Sequence, residues 1–137
     1  MKHSIQKAEK YALIQLQEAS LGAELATPFE EVARGVLRDG LHNLIIHLNT
    51  IKEVGSEVVV ILRKINILCV QNLGILVLVT KDDGLWDSLE ALNIPDLVVL
   101  PSVDEAIDAV FMHELENEFG SDEDDFDSED YVTGEED

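Results

Sequence analysis

Short, almost wholly apolar segments alternate with longer amphipathic ones along most of this chain. The apolar segments are residues 44–48, 75–79 and 97–100. Continuous apolar runs of this length are typical of parallel strands that are covered on both faces. Parallel neighbours need a crossover connection, which is usually a helix. The alternation therefore predicts an α/β domain with a mixed sheet whose later strands are parallel.

The first part of the chain adds further strands to this pattern. Residues 11–16 are strand-like, and residues 4–7 are a candidate for the paired neighbour of that strand. Residues 19–25 fit either another short strand or an irregular connection. Together with the later segments, this gives a sheet of four to five strands and about four helices.

Capping residues predict where two of the helices begin. Thr27, followed by Glu30 three residues later, has the pattern of an N-cap with a capping box. Ser102 and Glu105 repeat that spacing before the last helix. Asp39 and Gly40 are expected to end the first helix, because glycine readily adopts the conformation that terminates one.

The segment 58–72 has two interpretations. Its β-branched run at residues 58–61 favours a strand by propensity. Its length of about fifteen residues suits a crossover helix better than a strand. Apolar side chains also repeat at helical spacing, at Val58, Leu62, Ile65 and Cys69. We therefore predict a helix.

Charge is distributed unevenly along the 137 residues. The net charge of −20 argues against nucleic acid or an anionic membrane as a partner. Residues 121–137 contain ten acidic residues and no Lys or Arg, which leaves the rest of the chain at about −10. We predict a folded domain over residues 1–118 and an acidic, disordered tail over residues 119–137. Phe126, Tyr131 and Val132 could dock on a partner, but a solvated tail is the favoured interpretation.

Targeting and redox signals are few. No apolar stretch approaches the roughly 20 residues that a membrane span requires, and no secretory signal is evident. The single cysteine, Cys69, excludes an intrachain disulfide and fits a cytoplasmic protein. We expect Cys69 to be a small buried hydrophobic residue.

A search for catalytic or cofactor motifs is negative. The chain has no glycine-rich nucleotide motif. Its four histidines show no metal-ligand spacing with one another or with Cys69. His42 and His47, beside a predicted strand, are expected to be structural or exposed. We therefore predict no cofactor, no metal ion and no enzymatic activity.

Ser56 is the most informative single residue, because it lies where the predicted strand 44–48 hands over to the predicted helix 58–72. Free backbone N–H groups and the positive end of the helix dipole lie at such a junction. A hydroxyl group there can carry a phosphate that the helix end stabilises. The alternative is that Ser56 only caps the helix.

The order of these elements resembles a STAS domain, the fold of bacterial anti-sigma factor antagonists. The resemblance covers residues 1–118 and is carried by collinear matches: Glu9-Lys10-Tyr11, Pro28 at a helix start, the segment 43–49 and the segment 101–112. These features are most similar to small stand-alone STAS proteins of Bacteroidetes-type bacteria. The resemblance implies a mixed sheet with about four helices.

The resemblance also implies a role for Ser56. The family pattern after the third strand is Asp-Ser-Ser-Gly, whose first serine is phosphorylated by an anti-sigma factor kinase. An ungapped match puts Ser56 on that serine, with Gly55, Glu57 and Val58 in place of the other three residues. Only the acceptor hydroxyl is retained. We expect a degenerate phosphorylation motif in which Glu57 partly imitates the phosphorylated state.

The resemblance implies a non-enzymatic regulator that sequesters an anti-sigma kinase. The expected contact residues follow the family loop and the exposed side of the next helix: Gly55, Glu57, Val58, Val60, Lys64 and Ile67. Val60 and Ile67 fall off the predicted core face, so either a partner or a wider core covers them. The alternative function is a STAS subunit of a larger lipid-transport or signalling assembly, without control by phosphorylation.

Overall fold

The computed structural model describes residues 1–48 and 50–119, and its centre is a mixed sheet of five strands. A short 3₁₀ turn at Ala23–Leu25 precedes the first helix. In chain order the elements are β1 (His3–Lys7), β2 (Ala12–Leu16), α1 (Ala26–Arg38), β3 (Asn43–His47), α2 (Ser56–Gln71), β4 (Ile75–Val79), α3 (Asp83–Ala91), β5 (Val98–Leu100) and α4 (Val103–Phe119).

The strands lie side by side in the order β1-β2-β3-β4-β5. β1 is antiparallel to β2, and every later neighbour is parallel. The parallel strands are joined by helical crossovers, as the sequence predicts. The predicted mixed α/β sheet is therefore confirmed.

Helices cover the sheet on both faces. Because side chains alternate along a strand, Ile14, Ile46 and Leu78 face a core formed with α1, α2 and α3. Leu13, Ile45 and Val77 face the opposite side, where they pack against α4. Among the described residues, no helix is long and apolar enough to cross a lipid bilayer.

The segment with two interpretations is helical. Val58, Ile65 and Cys69 are completely buried, whereas Val60 and Ile67 are about half exposed. This helical division between inside and outside confirms the prediction, and burial of the apolar face outweighs the β propensity of the valines. The helix begins at Ser56, two residues earlier than its apolar pattern indicates.

The predicted N-cap of α1 is wrong. α1 begins at Ala26, so Thr27 lies inside the helix, and no side chain caps it. The preceding turn runs directly into α1, and its carbonyl groups already accept from the backbone N–H groups of Leu25 and Ala26. Glu30 instead forms a 2.7 Å ion pair with Arg34. The expected end of α1 is confirmed, with Gly40 at φ 97° just beyond Asp39.

The other predicted cap is confirmed. The Ser102 hydroxyl accepts from the Glu105 backbone N–H at 3.2 Å, immediately before α4 begins. α4 ends at Phe119, so the rest of the predicted acidic tail lies outside the described residues.

α4 ends beside the carboxyl end of α2. The Leu73 carbonyl, just after α2, accepts from Nε2 of His113 at 3.1 Å and from Nδ2 of Asn117 at 2.7 Å. Gly74 follows, and a Cβ atom there would clash with the His42 carbonyl group. The hydrogen bonds to Leu73 therefore join the two helices near the amino-terminal ends of the parallel strands, whereas Ser56 lies beyond their carboxyl-terminal ends.

Candidate functional site

Ser56 is the first residue of α2, at the edge of the sheet where the parallel strands end. Its side chain is exposed. Gly55 holds the N-cap position with extended backbone angles, and no side chain caps the helix among the described residues. The alternative that Ser56 serves as the N-cap is therefore wrong. The hydroxyl instead lies in the first helical turn, near the positive end of the helix dipole.

Apolar side chains anchor the loop that leads to Ser56. Leu48 and Ile51 are buried although they follow the end of β3. The Leu48 N–H donates to the Val79 carbonyl at 2.9 Å, and the Ile51 N–H donates to the Leu48 carbonyl at 2.8 Å. The start of the loop is thus fixed to the core and to β4.

The end of the loop pairs with the connection between β2 and α1. Leu21 and Val54 form an isolated parallel bridge. The Leu21 N–H donates to the Glu53 carbonyl at 2.9 Å, and the Gly55 N–H donates to the Leu21 carbonyl at 2.7 Å. Leu21 is itself buried. These bonds hold the residue before Ser56 in place.

An ion pair joins the same loop to the start of α3. Lys52 Nζ lies 3.1 Å from Oδ2 of Asp82. Asp82 also caps α3 by accepting from the Leu85 N–H at 2.9 Å. The pKa of Asp82 is lowered first by this backbone hydrogen bond and then by Lys52. Because Lys52 is largely exposed, the pair orients the loop more than it stabilises the fold.

Gly55 fits a tight space beside the loop that precedes α1. A Cβ atom at this position would lie 3.2 Å from the Leu21 carbonyl oxygen and 3.6 Å from Oε1 of Glu57. The close approach of the two loops therefore favours glycine where the STAS pattern has aspartate. Its φ of −72° is open to any residue, so space rather than backbone angle is the constraint.

Glu57 brings a negative charge close to the candidate phosphoacceptor. Its Oε1 lies 3.4 Å from Oγ of Ser56. A carboxylate in the first turn is favourable for the helix dipole. The same carboxylate would repel a phosphate on Ser56.

The predicted contact residues divide into two groups. Val60 and Ile67 are 51% and 52% exposed, and Lys64 is exposed too. Their spacing puts them on one face of α2 with Ser56. The interpretation in which a wider core covers Val60 and Ile67 is therefore wrong. Val58 is 0% exposed, which contradicts its predicted place on a contact surface. Its side chain instead packs in the core beneath the first turn of α2.

Two other residues considered from the sequence have structural surroundings. Cys69 is fully buried, as expected, and burial raises the pKa of its thiol to about 12. His47 is partly buried, with Nδ1 lying 3.3 Å from Nε2 of Gln15. Over residues 1–48 and 50–119, no group of three His, Cys, Asp or Glu side chains is placed to hold a metal ion.

The sequence alone does not identify the role of Leu21. By sequence, segment 19–25 fits either a short strand or an irregular connection, and the structure shows a bridge followed by a 3₁₀ turn. The available signal is one apolar residue in each of two connecting loops, Leu21 and Val54. Local periodicity does not pair residues that are distant in sequence.

Comparison with known proteins gives a match at the level of structure. No protein-family model matches the sequence, and no curated protein matches it. A candidate anti-sigma factor antagonist from Thermotoga maritima superimposes with a TM-score of 0.69 at 16% identity, over 80% of this chain and 94% of that one. The anti-sigma factor antagonist SpoIIAA in its unphosphorylated form gives 0.64 at 12% identity, over 80% and 98%. This chain has the STAS fold of anti-sigma factor antagonists.

A second structure of the Bacillus protein SpoIIAA, in the phosphorylated form, also matches. Its TM-score is 0.62 at 12% identity, over 80% of this chain and 99% of that one. The STAS fold thus accounts for nearly the whole length of these neighbours. In the present STAS domain, Ser56 starts the helix that follows the third strand.

Proposed function

We propose that this STAS domain is a non-enzymatic, cytoplasmic anti-sigma factor antagonist that binds an anti-sigma kinase. The observation that carries the proposal is the exposed hydroxyl of Ser56 at the start of α2, which follows a loop segment that backbone hydrogen bonds join to Leu21. A partner that reads this hydroxyl meets it in a fixed position, so little ordering cost accompanies binding.

The proposed contact surface is the loop end and the outer face of α2. It contains Gly55, Ser56, Glu57, Val60, Lys64 and Ile67. Two half-exposed apolar side chains and one cation give the mixed character of a protein interface. Val58 contributes only by holding the first turn of α2 against the core.

We further propose that phosphorylation control at Ser56 is impaired. The family aspartate is replaced by Gly55, so no carboxylate at that position orients the hydroxyl. Glu57 already places a negative charge 3.4 Å from the hydroxyl. Introducing a phosphate beside it would add like-charge repulsion. The unmodified protein would then partly resemble the phosphorylated state.

A direct binding measurement with the cognate anti-sigma kinase tests this function. Val60→Asp and Ile67→Asp should each weaken binding by roughly tenfold or more, a loss of about 1.4 kcal/mol per tenfold. Phe111→Asp and Met112→Asp, at comparably exposed apolar positions on α4, are the matched controls and should leave binding unchanged. Equal effects on both helices would contradict the proposed surface.

Affinity capture of cellular partners separates the two functional classes. Wild type and Ser56→Ala, compared side by side, should both retain a histidine-kinase-like ATPase, because Ser56→Ala leaves Val60, Lys64 and Ile67 of the contact surface unchanged. Recovery of a transporter ATPase in its place would instead support the assembly-subunit alternative and overturn the antagonist proposal.

A further inference from the structure

An apolar groove runs along α2 on the side away from α1. It lies between α2 and the connection from α3 to β5, with a volume of about 240 Å³. Its residues are Arg63, Asn66, Ile67, Val70, Gln71, Ile94, Pro95 and Asp96. These residues form the α2 groove. Its lining is mainly apolar, and Ile67 and Val70 are 52% and 38% exposed.

The α2 groove continues to the end of α4. A second hollow of about 450 Å³ shares Val70 and Asp96 with it and also contains Leu73, His113 and Asn117. Because His113 and Asn117 bond to the Leu73 carbonyl, the last turns of α4 lie at the mouth of this path. The chain that follows Phe119 therefore starts close to the α2 groove.

One basic side chain, Arg63, lines the α2 groove in a protein of strongly acidic composition, and a second, Lys64, is the next residue along α2. Arg63 and Lys64 are exposed, and neither is in a salt bridge within the described part of the chain. Asp96 is the opposing acidic group on the other rim. An acidic ligand would thus be attracted to the Arg63 side of the groove.

We propose that the segment 120–137 of this same chain docks in the α2 groove, with the Phe126 ring among Ile67, Val70 and Ile94. Asp122, Glu123, Asp124 and Asp125 precede this ring, and Asp127 follows it. Those carboxylates match Arg63 and Lys64 in charge. The aromatic ring would cover the exposed apolar side chains of the groove.

Chain length permits this docking. Lys64 lies nine residues from Leu73, which along a helix is about 14 Å. Phe126 is seven positions after Phe119, and an extended chain of seven residues spans about 23 Å. The segment therefore reaches the groove without unwinding α4.

The exposed apolar patch on α4 is a poorer site for the same segment. Phe111, Met112 and Leu115 are about half exposed there. Exposed Asp108 and Glu116 lie on the same helix, so an acidic segment would meet like charge. The charge difference between the two surfaces selects the α2 groove.

The docked segment would cover Ile67 and reduce access to α2. Its acidic residues thereby act as a built-in competitor of the partner. This regulatory consequence rests on the function proposed above, whereas the docking itself does not. The two are therefore tested by separate measurements.

Paramagnetic relaxation in the full-length protein tests the docking. A nitroxide is attached at Ser128→Cys; Cys69 does not compete for the reagent, because it is buried with a thiol pKa raised to about 12. Amide signals of Ile67, Val70 and Ile94 should lose more than half of their intensity relative to the reduced label. Uniform loss over the whole surface, or loss centred on Phe111 and Leu115, would overturn the proposal.

Matched variants separate charge and apolar contributions. Phe126→Ala and Lys64→Glu should each remove most of the signal loss, and so should high salt, since the Debye length shortens to roughly 3 Å at 1 M. Lys2→Glu is an equal charge reversal beside β1, which lies at the other side of the sheet from β5. It should leave the signal loss unchanged. Equal effects of the two reversals would contradict specific docking.

Partner binding supplies the second readout. Phe126→Ala should bind the anti-sigma kinase several-fold more tightly than wild type does. Relaxation effects without any kinase binding would retain the docking and reject the proposed function. Kinase binding without relaxation effects would retain the proposed function and reject the docking.

Discussion

The Gly55 N–H donates to the Leu21 carbonyl at 2.7 Å, and a Cβ atom on Gly55 would lie 3.2 Å from that same oxygen. One carbonyl group thus both fixes the position of the residue before Ser56 and limits its size. The pairing places a buried apolar residue, Leu21, behind the loop that presents the hydroxyl. The candidate site is therefore built by two loops rather than one.

Gly55→Ala should lower the free energy of unfolding by about 1 kcal/mol, because alanine is a poor N-cap and its methyl group crowds the Leu21 carbonyl. Gly55→Ser adds the same Cβ atom but also an oxygen that can accept from the first-turn N–H groups, so it should cost less. Urea unfolding of the two variants checks this order. Equal stability of Gly55→Ala and wild type would show that the contact is readily relieved.

Val58→Ala and Val60→Ala form a matched pair on one helix. Val58 is completely buried, so removing its two methyl groups should cost about 2 kcal/mol of stability. Val60 is half exposed, and its loss should change stability by less than about 0.5 kcal/mol. Chemical denaturation measures both. A reversed order would contradict the orientation of α2.

Glu57→Ser should increase phosphorylation of Ser56 by the cognate kinase, because it removes the carboxylate 3.4 Å from the acceptor hydroxyl and restores the family residue. Incubation with ATP and intact-mass analysis give the extent of modification. Ser56→Ala is the control for modification elsewhere. Stoichiometric phosphorylation of the wild-type protein would rule out the degenerate switch.

Periodicity was sufficient to predict much of this fold. The apolar runs that became β3 and β4 face cores on both sides, so their burial is recorded directly in their composition. The spacing of Val58, Ile65 and Cys69 predicted a helix even though β-branched residues begin it. Packing of that face decides the structure, and packing leaves a periodic signal in the sequence.

The parts that the sequence did not predict depend on backbone hydrogen bonds and tertiary contacts, which side-chain patterns do not record. The start of α1 is set by a 3₁₀ turn whose carbonyl groups replace a side-chain cap, which a capping motif cannot show. Helical spacing puts Val58 on the core face, the STAS resemblance puts it on the partner surface, and only its burial excludes the second role. The hold of Leu21 on Gly55 joins residues that are distant in sequence.

Leu73→Gly should raise the free energy of unfolding by about 0.5–1 kcal/mol, because Leu73 has φ 64° and a left-handed conformation is costly for any residue with a Cβ atom. Its side chain is 69% exposed, so few contacts are lost. Leu73→Ala keeps the backbone cost and should change little. Thermal unfolding distinguishes the two, and a destabilised glycine variant would show that the leucine side chain contributes more than its exposure indicates.

Acid should destabilise the protein partly through His47. Burial, and then the charge of Lys81, lower the pKa of this imidazole below its usual 6.5. The ring is therefore neutral in the folded state over a range where the unfolded chain already binds a proton. This contribution to stability is fully present above about pH 6.5, the ordinary pKa of histidine. It is lost as the pH falls from there through the lowered pKa of the folded state.

His47→Gln should flatten that decline, since glutamine keeps a polar group near Nε2 of Gln15 without titrating. Unfolding free energies measured from pH 8 to pH 5 give the comparison, with His3→Gln as the control at an exposed site. If His47→Gln and wild type lose stability in parallel over this range, the partly buried imidazole is not a source of the acid sensitivity.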